Sequence, residues 1–326
     1  MNTAIIIEKC REIPGVTVNE ENGYTELLLD SDDGGGRMRF FPLFPGIMLA
    51  AISVNARTWP APRLGTGAPE AKGPFIINYC LRGRCELVLN DSRSVFLTSG
   101  HVSLTEKFAM GEYTYPGSLY EGIELFVDSE LPDETAAMLG SFFNLSIPVL
   151  REMYCPDGKT FIGKMPLPED LANRLYADAT EAAGSVKMKT GVIDIMAMLQ
   201  FRQKQETEQI TYYTKSQVEM AKQIEAIITG DLSKQHTARE FARQFSVSES
   251  SIKNYFYGVY GESILQYAVR RRMKYASELL ADTSLPVIEI AGRVGYENQS
   301  KFSAAFRKRF GSTPLEYRRS HRLSGK

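Results

Sequence analysis

Ser248-Glu-Ser-Ser-Ile-Lys-Asn-Tyr-Phe-Tyr-Gly-Val-Tyr-Gly-Glu-Ser-Ile-Leu-Gln-Tyr267 recurs 50 residues later as Asn298-Gln-Ser-Lys-Phe-Ser-Ala-Ala-Phe-Arg-Lys-Arg-Phe-Gly-Ser-Thr-Pro-Leu-Glu-Tyr317. Gly261 lies over Gly311, Leu265 over Leu315 and Tyr267 over Tyr317. In both copies the apolar positions fall at helical spacing: Ile252, Tyr255, Phe256 and Val259 in the first, Phe302, Ala305, Phe306 and Phe310 in the second. Ser248 and Asn298 stand just ahead of these runs and suit an N-cap, because each offers a side-chain oxygen to the free N–H groups of a first helical turn. Each copy therefore reads as a helix with one apolar stripe.

Working outward, a shorter helical pattern precedes each copy. Phe241, Ala242 and Phe245 share one face of Thr237–Phe245, and the chain turns at Ser246–Ser248. Val287–Val294 and the turn Gly295–Asn298 repeat this, with Ala291 matching Ala242 at a shift of 49. A small Ala lets two helices cross closely, so the unit has helix-turn-helix geometry. Its outward face is polar: Ser250, Lys253, Asn254 and Tyr257 in the first copy, and Gln299, Ser300, Lys301, Ser303, Ala304 and Arg307 in the second. Gln can pair bidentately with adenine, and Lys or Arg with guanine, which is the chemistry of direct readout in a major groove. Between the copies, Ser263 to Asp282 lacks Pro and Gly and spans about 30 Å as a helix. That is close to one turn of B-DNA, about 34 Å, so the spacer suits two successive grooves.

The stretch from Thr237 to Arg319, above all Ile288 to Arg318, resembles the AraC/XylS-type transcriptional regulators, and Arg271 to Leu280 is similar to their central linker helix. The resemblance covers about a quarter of the chain. It implies base contacts at Ser250, Lys253 and Asn254 and at Gln299, Ser300, Lys301 and Ala304, with Arg307 on the same face. Ala304 departs from the family, which often has Arg there, so this position meets a thymine methyl or nothing. The implied partners are double-stranded promoter DNA, RNA polymerase, a small-molecule effector of unknown identity and a second copy in a homodimer. Arg270 to Arg272 reads as a solvated helix face. Lys308 and Arg309 reach phosphate or simply suit the helix dipole, and Pro286 ends the linker helix and fits a helix N1 position.

Charge agrees with this division. The net charge of −1 is a cancellation: residues 1–213 hold 19 Lys and Arg against 28 Asp and Glu, and residues 214–326 hold 19 against 11. A basic terminal segment fits a polyanion, while the acidic remainder discourages one. The chain has 326 residues, 43% of them apolar and 24% charged, which excludes wholesale disorder and leaves room for two or three domains. The uncharged stretch Phe40 to Asn55 is 16 residues with two prolines, short of a membrane span. The first residues lack a basic segment ahead of the isoleucines, so no secretory signal and a cytoplasmic location are expected.

Residues 1–165 are β-rich, with short apolar or alternating runs at 23–29, 46–55, 74–81, 84–89, 94–98 and 120–127. Leu81 to Leu87 and Phe96 to Leu104 resemble the cupin-like sensor of AraC-type regulators. The expected fold is α+β: an N-terminal cupin-like β-barrel with a helical hairpin, and a C-terminal all-α double helix-turn-helix. The expected domains are 1–165, the sensor; 166–213, hairpin and linker; and 214–326, the DNA-binding domain. After Pro166 and Pro168, Leu171, Leu175 and Ala179, then Val192, Ile195, Met196 and Leu199, mark two helices broken near Gly184. These either dimerise the sensor, as the resemblance implies, or pack on the barrel, and Gln200 to Thr214 is a polar linker.

A cupin-type small-molecule enzyme with a helical oligomerisation tail is the rival reading. Only three histidines are present, and only His101 falls in the barrel, too few for a metallocupin site, so no metal, cofactor or catalytic residue is expected. His101 reads as a surface or hydrogen-bonded residue, and Gly34 to Gly36 after two aspartates as a flexible hairpin. Cys10, Cys80, Cys85 and Cys155 read as reduced core thiols, Cys80 and Cys85 pointing to opposite faces of a straight strand. Tyr79, Arg82 and Glu86 are candidate effector contacts. A sensor that binds a protein and no small molecule is the third reading.

Overall fold

Apolar residues occupy both faces of the strand Tyr120–Val127, so it must serve two cores at once. Ile123, Leu125 and Val127 pack on one side with Leu171, Leu175, Val192 and Leu199, while Tyr120 and Phe126 pack on the other with Trp59 and Cys85. The computed structural model describes residues 4–60, 73–89, 92–106, 112–164, 169–181, 185–201 and 210–322, and the chain forms two units, Met1–Tyr212 and Tyr213–Lys326. Among the described residues, no helix is long and apolar enough to cross a membrane.

The first unit opens with helix α1 (Ala4–Cys10) and strands β1 (Val16–Glu21), β2 (Tyr24–Ser31), β3 (Gly34–Phe44), β4 (Ile47–Val54) and β5 (Thr58–Pro60). It continues with β6 (Phe75–Val88), β7 (Ser94–Thr98), β8 (His101–Thr105), β9 (Glu112–Thr114) and β10 (Tyr120–Val127). Helices α2 (Asp133–Phe143) and α3 (Ile147–Tyr154), strand β11 (Phe161–Lys164), and helices α4 (Glu169–Thr180) and α5 (Ser185–Phe201) complete it. The strands run in the order β1-β2-β3-β4-β10-β6-β8-β11, all antiparallel, with β7 and β9 on the second half of β6 and β5 on β9.

β6 is one strand of 14 residues where the sequence reads as two. From Ile76 to Tyr79 it pairs with β8 and from Phe75 to Gly83 with β10; beyond Gly83 it pairs with β7 and β9, so it carries the sheet round a corner. Gly83 has φ +85°, and a Cβ there would lie 1.9 Å from the Leu119 carbonyl oxygen, so the corner requires glycine. The register also shifts opposite Glu121 and Gly122. A bulge adds a residue to one strand and resets which side follows. Cys80 and Cys85 consequently share one core, against the expectation for a straight strand, and all four cysteines are buried free thiols. Gly34 to Gly36 belongs to β3 rather than to a free loop, and a Cβ on Gly36 would meet the Trp59 ring at 2.5 Å.

Every periodic apolar residue of α4 and α5 named above is buried against the sheet. Packing within the chain thus takes up the stripe that also suits a subunit interface. Pro166, Pro168, the break near Gly184 and residues 202–209 of the expected linker lie outside the described residues.

The second unit is all helical: α6 (Lys215–Gly230), α7 (Ala238–Gln244), α8 (Glu249–Tyr260), α9 (Ile264–Asp282), α10 (Val287–Arg293), α11 (Gln299–Phe310) and α12 (Pro314–Arg322). It has two cores. Ile224, Phe241, Ile252, Phe256 and Tyr267 form the first, and Met273, Leu280, Ile290, Phe302 and Phe306 the second. α9 supplies side chains to both and so joins the two halves. It ends at Asp282, ahead of Pro286, which is the N-cap of α10 rather than its first helical residue.

Candidate nucleic-acid interface

Side-chain caps fix where α7, α8 and α11 begin. Thr237 and Glu240 form a reciprocal capping box on α7: Thr237 Oγ1 accepts from Glu240 N at 3.2 Å, and Glu240 Oε2 accepts from Thr237 N at 2.8 Å. Ser248 Oγ accepts from Ser251 N at 3.0 Å to start α8, and Asn298 Oδ1 accepts from Ser300 N and Lys301 N at 2.8 and 3.1 Å to start α11. Both 12-residue helices end at a glycine with φ +75°, Gly261 and Gly311. The two copies therefore have the same frame.

That frame sorts the side chains as the spacing predicts. Ile252, Phe256, Phe302 and Phe306 are fully buried, and Ser250, Lys253, Asn254, Gln299, Ser300, Lys301, Ala304 and Arg307 are exposed. Tyr257 joins them at 57% exposure, an aromatic on the outer face of α8. Ser303, Ala304, Arg307 and Lys308 border one open hollow with Gly311 and Thr313. Lys253 Nζ lies 2.6 Å from Glu249 Oε1 and holds that carboxyl below its usual range, so a phosphate or base must compete with Glu249 for this cation.

The frame that holds the two helices is polar as well as apolar. Tyr267 on α9 donates to Glu225 on α6 at 2.7 Å, and burial together with this bond raises the phenol well above its ordinary range. Arg272 donates to the Lys234 carbonyl at 2.6 Å and is 6% exposed. Arg272 is thus a buried tie and not part of a solvated face, while Arg270 pairs with Glu262 at 2.6 Å. A Cβ on Gly295 would lie 2.5 Å from the Ser233 carbonyl oxygen, so the turn of the second copy sits close against the loop after α6.

In the first unit, Tyr79, Arg82 and Glu86 are not brought together. Tyr79 faces the core beneath α5, Arg82 is exposed and 3.3 Å from Glu121, and Glu86 accepts from Ser94 at 2.7 Å. His101 Nδ1 lies 2.9 Å from Thr98 Oγ1. Sequence reasoning missed Glu124, which lies opposite Asn78 on the inner side of β10 among Tyr120, Gly122 and Phe126. A lone acid at period two in an apolar stripe was the available signal.

Residues 241–320 match the family described as a helix-turn-helix domain. ExsA, an HTH-type transcriptional regulator of Pseudomonas aeruginosa, is 35% identical over 79 residues, which cover 24% of this chain and 28% of ExsA. The chain carries an AraC/XylS-type helix-turn-helix domain. The transcriptional activator RhaR of Mannheimia succiniciproducens is 31% identical to it over 112 residues, 34% of this chain and 41% of RhaR. The C-terminal domain of AraT, a response regulator of Geobacillus stearothermophilus, is 34% identical, covers 31% of this chain and 84% of that one, and has a TM-score of 0.30. The chain thus spans less than half the length of these curated relatives.

Proposed function

We propose that the chain is a sequence-specific, double-stranded-DNA-binding transcription regulator of the cytoplasm, acting as a homodimer under control of a small molecule held by a cupin-like first unit. One observation carries the DNA reading: two helices of equal length, capped and ended alike, present polar faces from a single unit joined through α9. The acidic first unit, with 28 Asp and Glu against 19 Lys and Arg over residues 1–213, supports confinement of DNA binding to the basic part. Promoter DNA is the partner, with RNA polymerase engaged beside it. Effector control follows from a population shift between states that differ in how they hold the linker.

The test is to select binders from random duplex DNA at near-physiological salt with the full chain, and with Gln299→Ala and Lys253→Ala. Two short elements about one helical turn apart should be enriched, each relaxed by one of the substitutions. Binding that enriches no sequence and collapses with salt would reduce the reading to phosphate attraction.

A further inference from the structure

The corner in β6 encloses a chamber between the long run of the sheet and its shorter part. Asn78, Tyr120 and Glu124 line it together with Trp59, Tyr113 and Tyr115. Its polar atoms form a directed chain: Tyr120 Oη donates to Asn78 Oδ1, and Asn78 Nδ2 donates to Glu124 Oε1 at 2.6 Å. Gly122 makes this chain fit, because a Cβ there would lie 3.0 Å from Tyr120 Oη and 2.6 Å from the Tyr79 carbonyl oxygen. Among the described residues, no Arg, Lys or His lines the chamber and none forms an ion pair with Glu124. A carboxylate without a counter-ion in an apolar chamber is costly, so it neutralises or takes a cation from outside.

We propose that this chamber binds a small organic monocation, an alkylammonium group, with Glu124 as its counter-ion and the aromatic walls as its seat. The proposal deepens the effector reading above, and its regulatory meaning rests on that reading. Trp59, Phe40, Phe126, Tyr113, Tyr115 and Tyr120 supply π faces, which attract a cation most strongly when it is desolvated. Size restricts the class further. About 30 Å³ is open to the centre of a water-sized sphere, which holds about two waters, so the head group is a primary ammonium on one or two carbons. The other titratable groups around the chamber are Cys10 on α1, Cys80, Arg84, Cys85 and Glu86 on β6, Tyr113 on β9, Tyr115 after it, and Tyr120 on β10. Burial pushes Cys10 up to about 11, Cys80 up to about 12, and Cys85, Tyr115 and Tyr120 well above their ordinary ranges, so they stay neutral near pH 7. Burial brings Glu124 to about 7.

Trp59 is the single tryptophan of the chain, so its emission reports on this chamber. The experiment titrates the full chain with ethylammonium chloride, with ethanol as the neutral isostere and sodium chloride as the ionic control. At pH 8 ethylammonium should change Trp59 emission saturably, and the half-saturating concentration should rise about tenfold at pH 6, where Glu124 is mostly protonated. Glu124→Gln, with an unchanged circular dichroism spectrum, should lose the saturable response. The absence of saturation at pH 8, an equal response to ethanol, or a response independent of pH would overturn the proposal. The pH comparison uses the unaltered chain, so it decides the matter even if Glu124→Gln does not fold. DNA selection is run without amine: its failure removes the regulator reading, whereas a silent Trp59 in a chain that selects DNA removes the cation proposal alone.

Discussion

Glu124 is more easily protonated in the folded chain than in the unfolded one, since burial lifts its carboxyl from 4.5 to about 7. The sign follows from linkage: the folded state binds this proton more tightly, so the contribution to stability is full below about pH 4.5 and is lost as pH rises through 7. The loss is on the order of 3 kcal/mol. Urea unfolding followed by Trp59 emission between pH 5 and 8 should show the first unit weakening with pH, and Glu124→Gln should flatten that slope; equal slopes in the two proteins would contradict the assignment. On the DNA side, single residues separate by role. Gln299→Ala should remove about 1–3 kcal/mol of discrimination at one base position. Lys308→Ala, at the basic end of α11, should instead weaken all sequences alike and lower the salt slope by about 1, as competition binding over a salt series would show.

Helix ends set the next scale. Asn298 caps α11 through two bonds, so Asn298→Ala should cost about 1 kcal/mol of unfolding free energy, read by circular dichroism in urea. Two glycines of the helical unit should behave differently. Gly311 has φ +75° with nothing within 4 Å of its missing Cβ, so Gly311→Ala meets only backbone strain, about 1–2 kcal/mol. Gly258 is helical, but a Cβ would lie 2.2 Å from the Tyr213 ring, so Gly258→Ala must displace that ring and should destabilise more. The opposite order would show that Tyr213 yields freely. These elements were largely legible: the repeat, the stripes and the caps of α8 and α11 all stand in the sequence. Helix α1 and strand β3 were not read, because their neighbours in the fold, rather than any local period, decide what they bury.

Across the helical unit, the proposed function requires α8 and α11 to be held at one spacing. Arg272 is tied to the Lys234 carbonyl, so the part proposed for it is to hold that spacing. Arg272→Ala should therefore lower affinity for the paired site several-fold while leaving the base preference of each element intact, measured by binding to paired and single elements. A changed base preference would instead place Arg272 at the DNA. The Arg270 to Arg272 run gave no hint of this difference, since three adjacent residues on α9 point in three directions and only the packed structure says which one is inside.

By itself the sequence determined the repeat, the exposed polar faces of α8 and α11, the charge division and the alternation of short strands. These depend on spacings of three, four or two residues and on caps three residues away, interactions that a chain makes with its near neighbours. Tertiary structure alone decided that β6 turns a corner, that Cys80 and Cys85 share a core, that the α4 and α5 stripes lie on the sheet, and that Glu124 rather than Tyr79, Arg82 or Glu86 faces the chamber. The reason is that the side chosen by a strand residue reverses with each step and is reset by a single bulge. Which side is inside then depends on strands tens of residues away.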